Sequence, residues 1–241
     1  MAKANLSVVI PCYNEEKTVL ELLARVLKQD VVAEIIIVDD CSSDNSASLI
    51  LSINDRRIKY IRNNVNRGKG FSVSKGIAMT KSDYVVIQDA DLEYAPEEYV
   101  RLMKPLLVGN ADAVYGSRFL TYEYRRVLYF WHRLGNNFLT MVSNMLSNLD
   151  LTDMETCYKM MKREYAQKLN IQERRFGIEP EITAKLAILG AAIYEVPISY
   201  SGRTYAEGKK ITWKDGVRAI YCIIKYNSPK FKKKFKLESS I

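Results

Sequence analysis

Short apolar runs alternate with helical patterns along the first half of the chain. The runs are rich in β-branched residues, which is typical of strands buried on both faces. They predict strands over Leu6–Ile10, Glu34–Asp40, Ile58–Asn63, Tyr84–Asp89 and Ala113–Tyr115. The segments between them predict helices over Glu15–Gln29, Asp44–Ile53, Gly70–Thr80 and Pro96–Leu107. This alternation predicts an α/β fold with a mostly parallel sheet covered by helices.

The pattern changes from about Phe119 onward. The later segments predict a helix over Tyr129–Leu149, a loop over Asp150–Thr156, a short strand near Tyr158–Met161, a helix over Pro180–Leu189, a strand over Ala192–Tyr200, a loop over Ser201–Thr212 and a last helix over Trp213–Tyr226. Pro229 and the two polar residues before it are expected to end that helix. We predict one domain over residues 1–226 and a basic tail over residues 227–241.

Polar segments follow all five predicted strands of the first half. These segments are Pro11–Glu16, Asp39–Asp44, Asn66–Gly70, Asp89–Asp91 and Gly116–Arg118. Ligands of parallel α/β sheets bind beyond the carboxyl ends of the strands. Five such segments at one edge of a sheet therefore predict a nucleotide site.

Two acidic pairs stand out among these segments. Asp89 and Asp91 end the fourth strand, and two carboxylates with substrate phosphates are a common way to hold Mg²⁺ or Mn²⁺. Asp39 and Asp40 end the second strand, where a carboxylate can accept hydrogen bonds from ribose hydroxyls or a base N–H. The alternatives are an acidic turn for the first pair and helix capping for the second.

The segment Asn66–Gly70 joins two cations and two glycines ahead of a predicted helix. Backbone N–H groups at the start of a helix favour anions. The segment lacks the ending of a Walker loop and the third glycine of a dinucleotide fingerprint. It predicts a phosphate contact, and an ordinary glycine-containing loop is the alternative.

The charge of the chain is concentrated in the tail. The 241 residues carry a net charge of +8, and six lysines with no acidic residue lie between Lys225 and Lys236. Such a tail indicates an anionic surface such as lipid headgroups or nucleic acid, or else a solvated tail that only aids solubility. The 48% of hydrophobic and 27% of charged residues are typical of a globular protein.

Cysteine usage and hydropathy bear on the compartment. The four cysteines are widely spaced and form no CxxC motif, which indicates a reducing compartment. The apolar run Val8–Ile10 is too short for a signal peptide, and no run of about 18 apolar residues predicts a membrane span. We expect a cytoplasmic protein whose membrane contact, if any, is peripheral.

The ordered set of motifs resembles family 2 glycosyltransferases. It consists of Val9–Glu16, Val38–Asp40, Asn66–Gly70 and Asp89–Glu93, and the similarity extends from about residue 6 to residue 226. The dolichyl- or polyprenyl-phosphate mannose and glucose synthases are the most similar branch. The resemblance implies a GT-A fold with helices on both faces of the sheet, a divalent cation (Mg²⁺ or Mn²⁺), and inverting transfer of a hexose from a UDP- or GDP-linked sugar.

The resemblance also implies roles for individual residues. It assigns nucleotide-sugar binding to Pro11, Tyr13, Glu15, Asp39, Asp40, Lys69, Asp89 and Ala90, metal binding to Asp89, Asp91 and Glu93, acceptor and phosphate binding to Arg118, Arg203 and Lys209, and catalysis to Asp153, Asp91 and Arg203. The chain departs from the family pattern at two positions. Glu93 stands where relatives often have Gln, and Cys157 stands where they tend to have Gly.

Two acceptor classes follow from the resemblance. A lipid phosphate at the cytoplasmic membrane face, reached through the basic tail, is already ionised near neutral pH, because the second pKa of a phosphate monoester is about 6. A saccharide or other hydroxyl would instead need a carboxylate base, for which Asp153, as base or as orienting residue, is the first candidate and Glu155 the second. A nucleic-acid binder would leave the acidic strand ends unexplained, so we expect no nucleic-acid partner.

Overall fold

The computed structural model describes residues 5–120, 126–127, 129–175, 177–202 and 213–239, and the strands found there form a single sheet. These strands are β1 (Leu6–Cys12), β2 (Val32–Asp39), β3 (Ile58–Arg62), β4 (Tyr84–Ile87), β5 (Ala113–Ser117), β6 (Lys159–Lys162) and β7 (Ile193–Pro197). Their order in the sheet is β3-β2-β1-β4-β6-β5-β7. Only β6 runs antiparallel, to both β4 and β5, so the sheet is mostly parallel as predicted.

Helices cover the sheet and extend beyond it at the C-terminal end. They are α1 (Val19–Leu27), α2 (Ser46–Leu51), α3 (Lys69–Ile77), α4 (Tyr99–Leu107), α5 (Phe130–Ser147), α6 (Arg163–Lys168), α7 (Ile178–Ile188), α8 (Trp213–Asn227) and α9 (Pro229–Ser239). Helices α6 and α9 have no counterpart among the predicted helices. Every predicted helix is present, with ends shifted by at most four residues.

The core forms where the apolar runs of the sequence meet. The side chains of Val8, Val9 and Ile10 in β1 are fully buried, as expected for a strand covered on both faces. In α1, the residues Val19, Leu22, Leu23 and Val26 repeat at helical spacing and are all buried. The hydrophobic pattern therefore accounts for both the central strands and the face by which α1 packs on them.

Two element ends differ from the predictions and matter for the site. Strand β4 ends at Ile87, so Asp89 lies in the loop beyond the sheet rather than in the strand. Helix α1 begins at Val19 and not at Glu15, because residues 15–18 form a turn in which the backbone N–H of Thr18 donates to the carbonyl of Glu15. Both loops are consequently longer than the sequence pattern indicates.

The basic tail is a docked helix. Pro229 is the first residue of α9, where its missing N–H costs nothing, and the Ser228 hydroxyl accepts from the N–H of Phe231. Phe235 is only 3% exposed, and Phe231 packs edge-on against Tyr226. These two phenylalanines anchor α9 to the protein.

Exposed apolar side chains are concentrated on α5. They include Phe130, Trp131, Leu134, Phe138, Met141 and Met145. Among the described residues, no helix has both the length and the apolar character needed to cross a bilayer.

Candidate active site

The loops after β1 and β2 are joined by hydrogen bonds. The Asn14 side-chain oxygen accepts from the N–H of Ser43 at 2.8 Å, and the Ser42 hydroxyl accepts from the N–H of Asn14 at 3.1 Å. Asn14 adopts a left-handed backbone conformation (φ 53°), which Asn tolerates better than most residues. These contacts bring Pro11, at the end of β1, Tyr13, which is 44% exposed, and Glu15 to one edge of the sheet.

The carboxylates of Asp39 and Asp40 are buried and hydrogen-bonded within the protein. Asp39 accepts from the N–H of Ser42 at 2.8 Å and from the Tyr60 hydroxyl at 2.6 Å. Burial, and then the Asp39 carboxylate, raise the pKa of Tyr60. Asp40 accepts from the Asn63 amide at 2.8 Å and from the N–H groups of Arg67 and Gly68 at 2.9 and 2.6 Å.

The contacts of Asp40 change the interpretation of the Asn66–Gly70 segment. The N–H groups expected to receive a phosphate at Arg67 and Gly68 donate to Asp40 in this structure. Gly68 has a φ of 91°, which favours glycine, and a Cβ on Gly70 would lie 1.9 Å from the carbonyl oxygen of Glu173. The two glycines therefore serve a close backbone packing, and the cation that the segment presents to the site is Lys69.

Lys69 joins α3 to the end of β4. Its amino group lies 2.9 Å from a carboxylate oxygen of Asp89 and 3.0 Å from one of Glu179, at the start of α7. Burial by itself lowers the pKa of Lys69, but the carboxylates of Asp89 and Glu179 outweigh it and hold that pKa well above its ordinary value. Lys69 is therefore a charged side chain in the site.

The acidic residues after β4 are held in different ways. Asp89 is half-buried, whereas Asp91 is buried and accepts from the N–H of Glu93. The Ala90 carbonyl accepts from the Thr18 hydroxyl at 2.9 Å, and the Glu93 carboxylate accepts from the Tyr200 hydroxyl at 2.7 Å. No group of three or more His, Cys, Asp or Glu side chains converges on a metal position within the described ranges, so the carboxylates of Asp89, Asp91 and Glu93 do not all meet at one such position.

Arg118 and Asp153 form a two-point ion pair beside this edge. The guanidinium donates to the two carboxylate oxygens of Asp153 at 2.6 and 2.7 Å, and Asp153 is fully buried. Asn136 of α5 accepts from Arg118 and donates to Asp153, both at 3.2 Å. Burial lowers the pKa of Arg118, but Asp153 outweighs it and raises that pKa well above the ordinary value. Asp153 and Asn136 together therefore hold the Arg118 guanidinium in one orientation.

Comparison with known proteins identifies the family. The family described as "Glycosyl transferase family 2" matches residues 7–169, which is more than half of the chain. The chain belongs to glycosyl transferase family 2.

Curated relatives of this glycosyltransferase include transferases named for dolichol phosphate and undecaprenyl phosphate. The dolichol-phosphate mannosyltransferase of Pyrococcus furiosus is 27% identical over 230 residues, which cover 92% of this chain and 64% of that protein. The undecaprenyl-phosphate 4-deoxy-4-formamido-L-arabinose transferase of Proteus mirabilis is 40% identical over 105 residues, which cover 41% of this chain and 32% of that protein. An uncharacterized protein of Methanocaldococcus jannaschii, MJ0544, is 29% identical over 84% of this chain and 93% of its own length.

Solved structures confirm the GT-A fold. Glucosyl-3-phosphoglycerate synthase of Mycobacterium tuberculosis in complex with UDP superposes with a TM-score of 0.71 at 19% identity, covering 94% of this chain and 81% of that one. The same enzyme has been solved with Mn²⁺, UDP and phosphoglyceric acid, also with a TM-score of 0.71 at 19% identity, covering 94% and 80% of the two chains. The expected fold class and family are thus confirmed.

Sequence reasoning missed two charged residues near the candidate site, Glu179 and Lys159, and gave a third, Glu155, only second place. Glu179 pairs with Lys69, and Lys159, which is 1% exposed, donates to the Met154 carbonyl at 2.8 Å. Burial lowers the pKa of Lys159 to about 8, and nearby carboxylates only partly oppose this. Glu155 has a wholly buried oxygen with no hydrogen-bond partner among the residues that the structure describes, and burial, followed by Glu179, raises its pKa to about 8.

The basic loop lies outside the described residues. Arg203 and Lys209, which the resemblance assigns to phosphate binding, fall in the range 203–212. Of the predicted acceptor-side cations, Arg118 is the described one.

Proposed function

We propose that this glycosyltransferase transfers a hexose, with inversion, from a UDP- or GDP-linked sugar to a polyprenyl or dolichyl phosphate at a membrane surface. The activity class follows from the family, and the acceptor is our inference. The curated relatives named for dolichol phosphate and undecaprenyl phosphate support this acceptor class.

One helix carries the observation that favours a lipid acceptor. Helix α5 contacts Arg118 through Asn136, and it also exposes large apolar side chains such as Trp131 (75% exposed) and Met145 (75% exposed). A lipid phosphate needs a cation for its headgroup beside an apolar surface for its chain. A water-soluble acceptor has no use for the exposed apolar face.

The donor end of the proposed site would lie at the end of β4. The oxygen donors of Asp89 and Asp91 fit a hard divalent cation, which commonly binds one or two carboxylates together with substrate phosphates. When bound, such a cation supplies positive charge next to the diphosphate leaving group. Lys69, 2.9 Å from Asp89, supplies a further positive charge at the same place.

The acceptor end would rely on Arg118. An ionised phosphate needs no strong base, so the main task of the protein is to hold two mutually repelling anions in line. Asp153 then acts as the residue that orients Arg118, because both of its oxygens already accept from the guanidinium. We assign Arg203 and Lys209 to the same cationic end.

The membrane contact would combine apolar and basic elements. Helix α9 exposes Lys230, Lys233, Lys234 and Lys236, and Lys232 donates to the Leu146 carbonyl near the end of α5 at 2.9 Å. Each lysine near an anionic bilayer contributes about 1 kcal/mol. We therefore extend the predicted membrane surface from the tail alone to α9 together with the exposed side of α5.

A hydroxyl acceptor is the second candidate, and Glu155 favours it. A carboxyl with a raised pKa and an unpartnered oxygen has the character of a general base. Glucosyl-3-phosphoglycerate synthase, a structural neighbour, has been solved in complex with phosphoglyceric acid, which carries a hydroxyl group. In this second reaction, Glu155 would take the proton of the attacking hydroxyl.

A direct assay separates the two candidates. Radiolabelled UDP- and GDP-hexoses are incubated with the purified protein, Mn²⁺ and either undecaprenyl or dolichyl phosphate, and the product is extracted into butanol. We expect a butanol-soluble product whose formation survives in Glu155→Gln and is lost in Arg118→Gln. Transfer only to water-soluble hydroxyl compounds, together with loss of activity in Glu155→Gln, would establish the second candidate.

A further inference from the structure

Residues 171–175 connect the C-terminal helices to the glycine-containing loop beside the proposed donor site. Glu173 in this segment is 5% exposed and binds three side chains of α8. Its carboxylate accepts from Arg218 at 2.5 Å, from Lys225 at 2.8 Å and from the Tyr226 hydroxyl at 2.7 Å. One carboxylate thus fixes the segment to more than two turns of α8.

The backbone of the same segment packs against the glycine-containing loop. The Arg174 carbonyl accepts from the N–H of Gly70 at 2.9 Å. A Cβ at Gly68 would lie 2.1 Å from that carbonyl oxygen. Contacts this close transmit the position of the segment to the loop, because neither backbone can move alone without a clash or a lost hydrogen bond.

A second carboxylate fixes the start of the segment. Glu181 of α7 accepts from the N–H groups of Gln172 and Glu173, both at 2.7 Å, and pairs with the fully buried Lys185. The segment therefore has a rigid anchor on α7 and a second anchor, through Glu173, on α8. Only the second depends on a helix that also carries exposed apolar residues, Val217, Tyr221 and Ile224.

We propose that Glu173 is a positioning residue for donor binding. By tying α8 to residues 171–175, it holds Gly68 and Gly70 in place and so fixes Lys69 beside Asp89. The inference rests on the proposed donor site at the end of β4. It assigns to Glu173 an effect on nucleotide affinity through the loop, in addition to its effect on folding.

Hydrogen exchange tests the positioning without any substrate. In Glu173→Gln, we expect amides in the peptide covering residues 63–72 to exchange about tenfold faster than in the wild type, because the loop opens locally. A peptide from β5 should keep its wild-type rate. Asp112→Asn is the matched control: Asp112 also binds a lysine, a tyrosine and a backbone N–H, but at the opposite edge of the sheet.

Nucleotide binding tests the consequence. We expect the Kd of UDP or GDP with Mn²⁺, measured by calorimetry, to rise about tenfold in Glu173→Gln and to stay unchanged in Asp112→Asn. With nucleotide sugar, KM should rise while kcat stays within about threefold. Gly70→Ala, whose Cβ would lie 1.9 Å from the Glu173 carbonyl oxygen, should reproduce the faster exchange.

The outcomes are distinct. If Glu173→Gln does not fold, Arg218→Ala removes one of the three partners and should show the same effects at smaller size. Wild-type exchange in residues 63–72 alongside a lowered Tm would overturn the proposal, as would equal acceleration in Asp112→Asn. If neither nucleotide binds the wild type, the proposed donor site fails, and faster exchange still shows that Glu173 positions the loop.

Discussion

The acidic ends of β2 and β4 carry the same residue type but use it in different ways. At the end of β2, Asp39 and Asp40 are 0% and 3% exposed, and their oxygens accept hydrogen bonds from Tyr60, Asn63 and backbone N–H groups. At the end of β4, Asp89 is half-buried and its carboxylate pairs with the amino group of Lys69. Asp39 and Asp40 are thus enclosed by hydrogen-bond donors of the protein, whereas Asp89 forms an ion pair with the flexible side chain of Lys69.

The difference follows from the donors around each carboxylate. Backbone N–H groups and a half-buried tyrosine cannot leave Asp39 or Asp40 without losing hydrogen bonds to a buried carboxylate, so a ligand would displace them at high cost. A lysine amino group on a four-carbon stem can move aside or share its partner with a cation. Position at a strand end therefore does not by itself decide whether an aspartate binds a ligand or holds two loops together.

The largest expected effect is on catalysis at the end of β4. Asp91→Asn and Asp89→Asn should each lower transfer by about 10²- to 10³-fold, the scale of losing a main electrostatic contact to the leaving group. The Tm should change little for Asp89→Asn, because Asp89 is half-buried and paired with a lysine. Initial rates with and without EDTA provide the measurement. Wild-type activity in EDTA would refute the metal assignment.

At the end of β2, we expect a substitution to lower stability more than it lowers transfer. Asp40→Asn should lower the free energy of unfolding by about 1–3 kcal/mol, because the N–H groups of Arg67 and Gly68 lose a charged acceptor. Urea denaturation measures this, and Asp89→Asn serves as the comparison. An Asp40→Asn variant with unchanged stability and abolished transfer would show that both strand ends act directly on substrate.

The stability of the protein at acidic pH tests the contribution of Glu173, an enclosed carboxylate that lies outside the two strand ends. Burial raises the pKa of Glu173, but hydrogen bonds from Lys225, Arg218 and Tyr226 outweigh it and lower that pKa to about 2. Its stabilisation is therefore complete above the ordinary pKa of 4.5 and is lost as the pH falls from there toward 2. Glu173→Gln should flatten the decline of Tm below pH 4.5, as followed by circular dichroism. An identical decline in the two proteins would contradict this assignment.

Substitutions in α9 are expected to have the smallest effect on the chemistry at the strand ends. Lys233→Ala combined with Lys234→Ala should weaken binding to anionic liposomes by about tenfold or more, at about 1 kcal/mol for each lysine. Hydrolysis of the nucleotide sugar should stay at the wild-type rate. Flotation at low and high salt measures the binding, and Trp131→Ala tests the apolar part of the surface. Flotation that is unaffected by salt or by these changes would remove α9 from the membrane surface.

The strands of the first half of the chain were predictable because their sequence patterns are local. Buried β-branched runs predicted β1 to β5, and polar residues after each run predicted an edge rich in ligand-binding groups. The antiparallel pairing of β6 was not predicted, since a four-residue strand carries no signal for its direction. The docking of the tail was not predicted for a related reason: α9 packs against α7 as well as against the neighbouring α8, and α7 lies much earlier in the sequence.

The sequence by itself determined the α/β order of elements in the first half of the chain, the polar segments that follow its strands and, through the ordered motifs, the glycosyltransferase family. Only the tertiary structure decided which of those residues are enclosed by protein donors and which stay partly exposed. Tyr60 and Asn63 reach Asp39 and Asp40 because β3 lies beside β2, and Glu179 reaches Lys69 across 110 residues of sequence. A carboxylate's chemistry is local, but its hydrogen-bond partners are set by the segments that the sheet order places next to it.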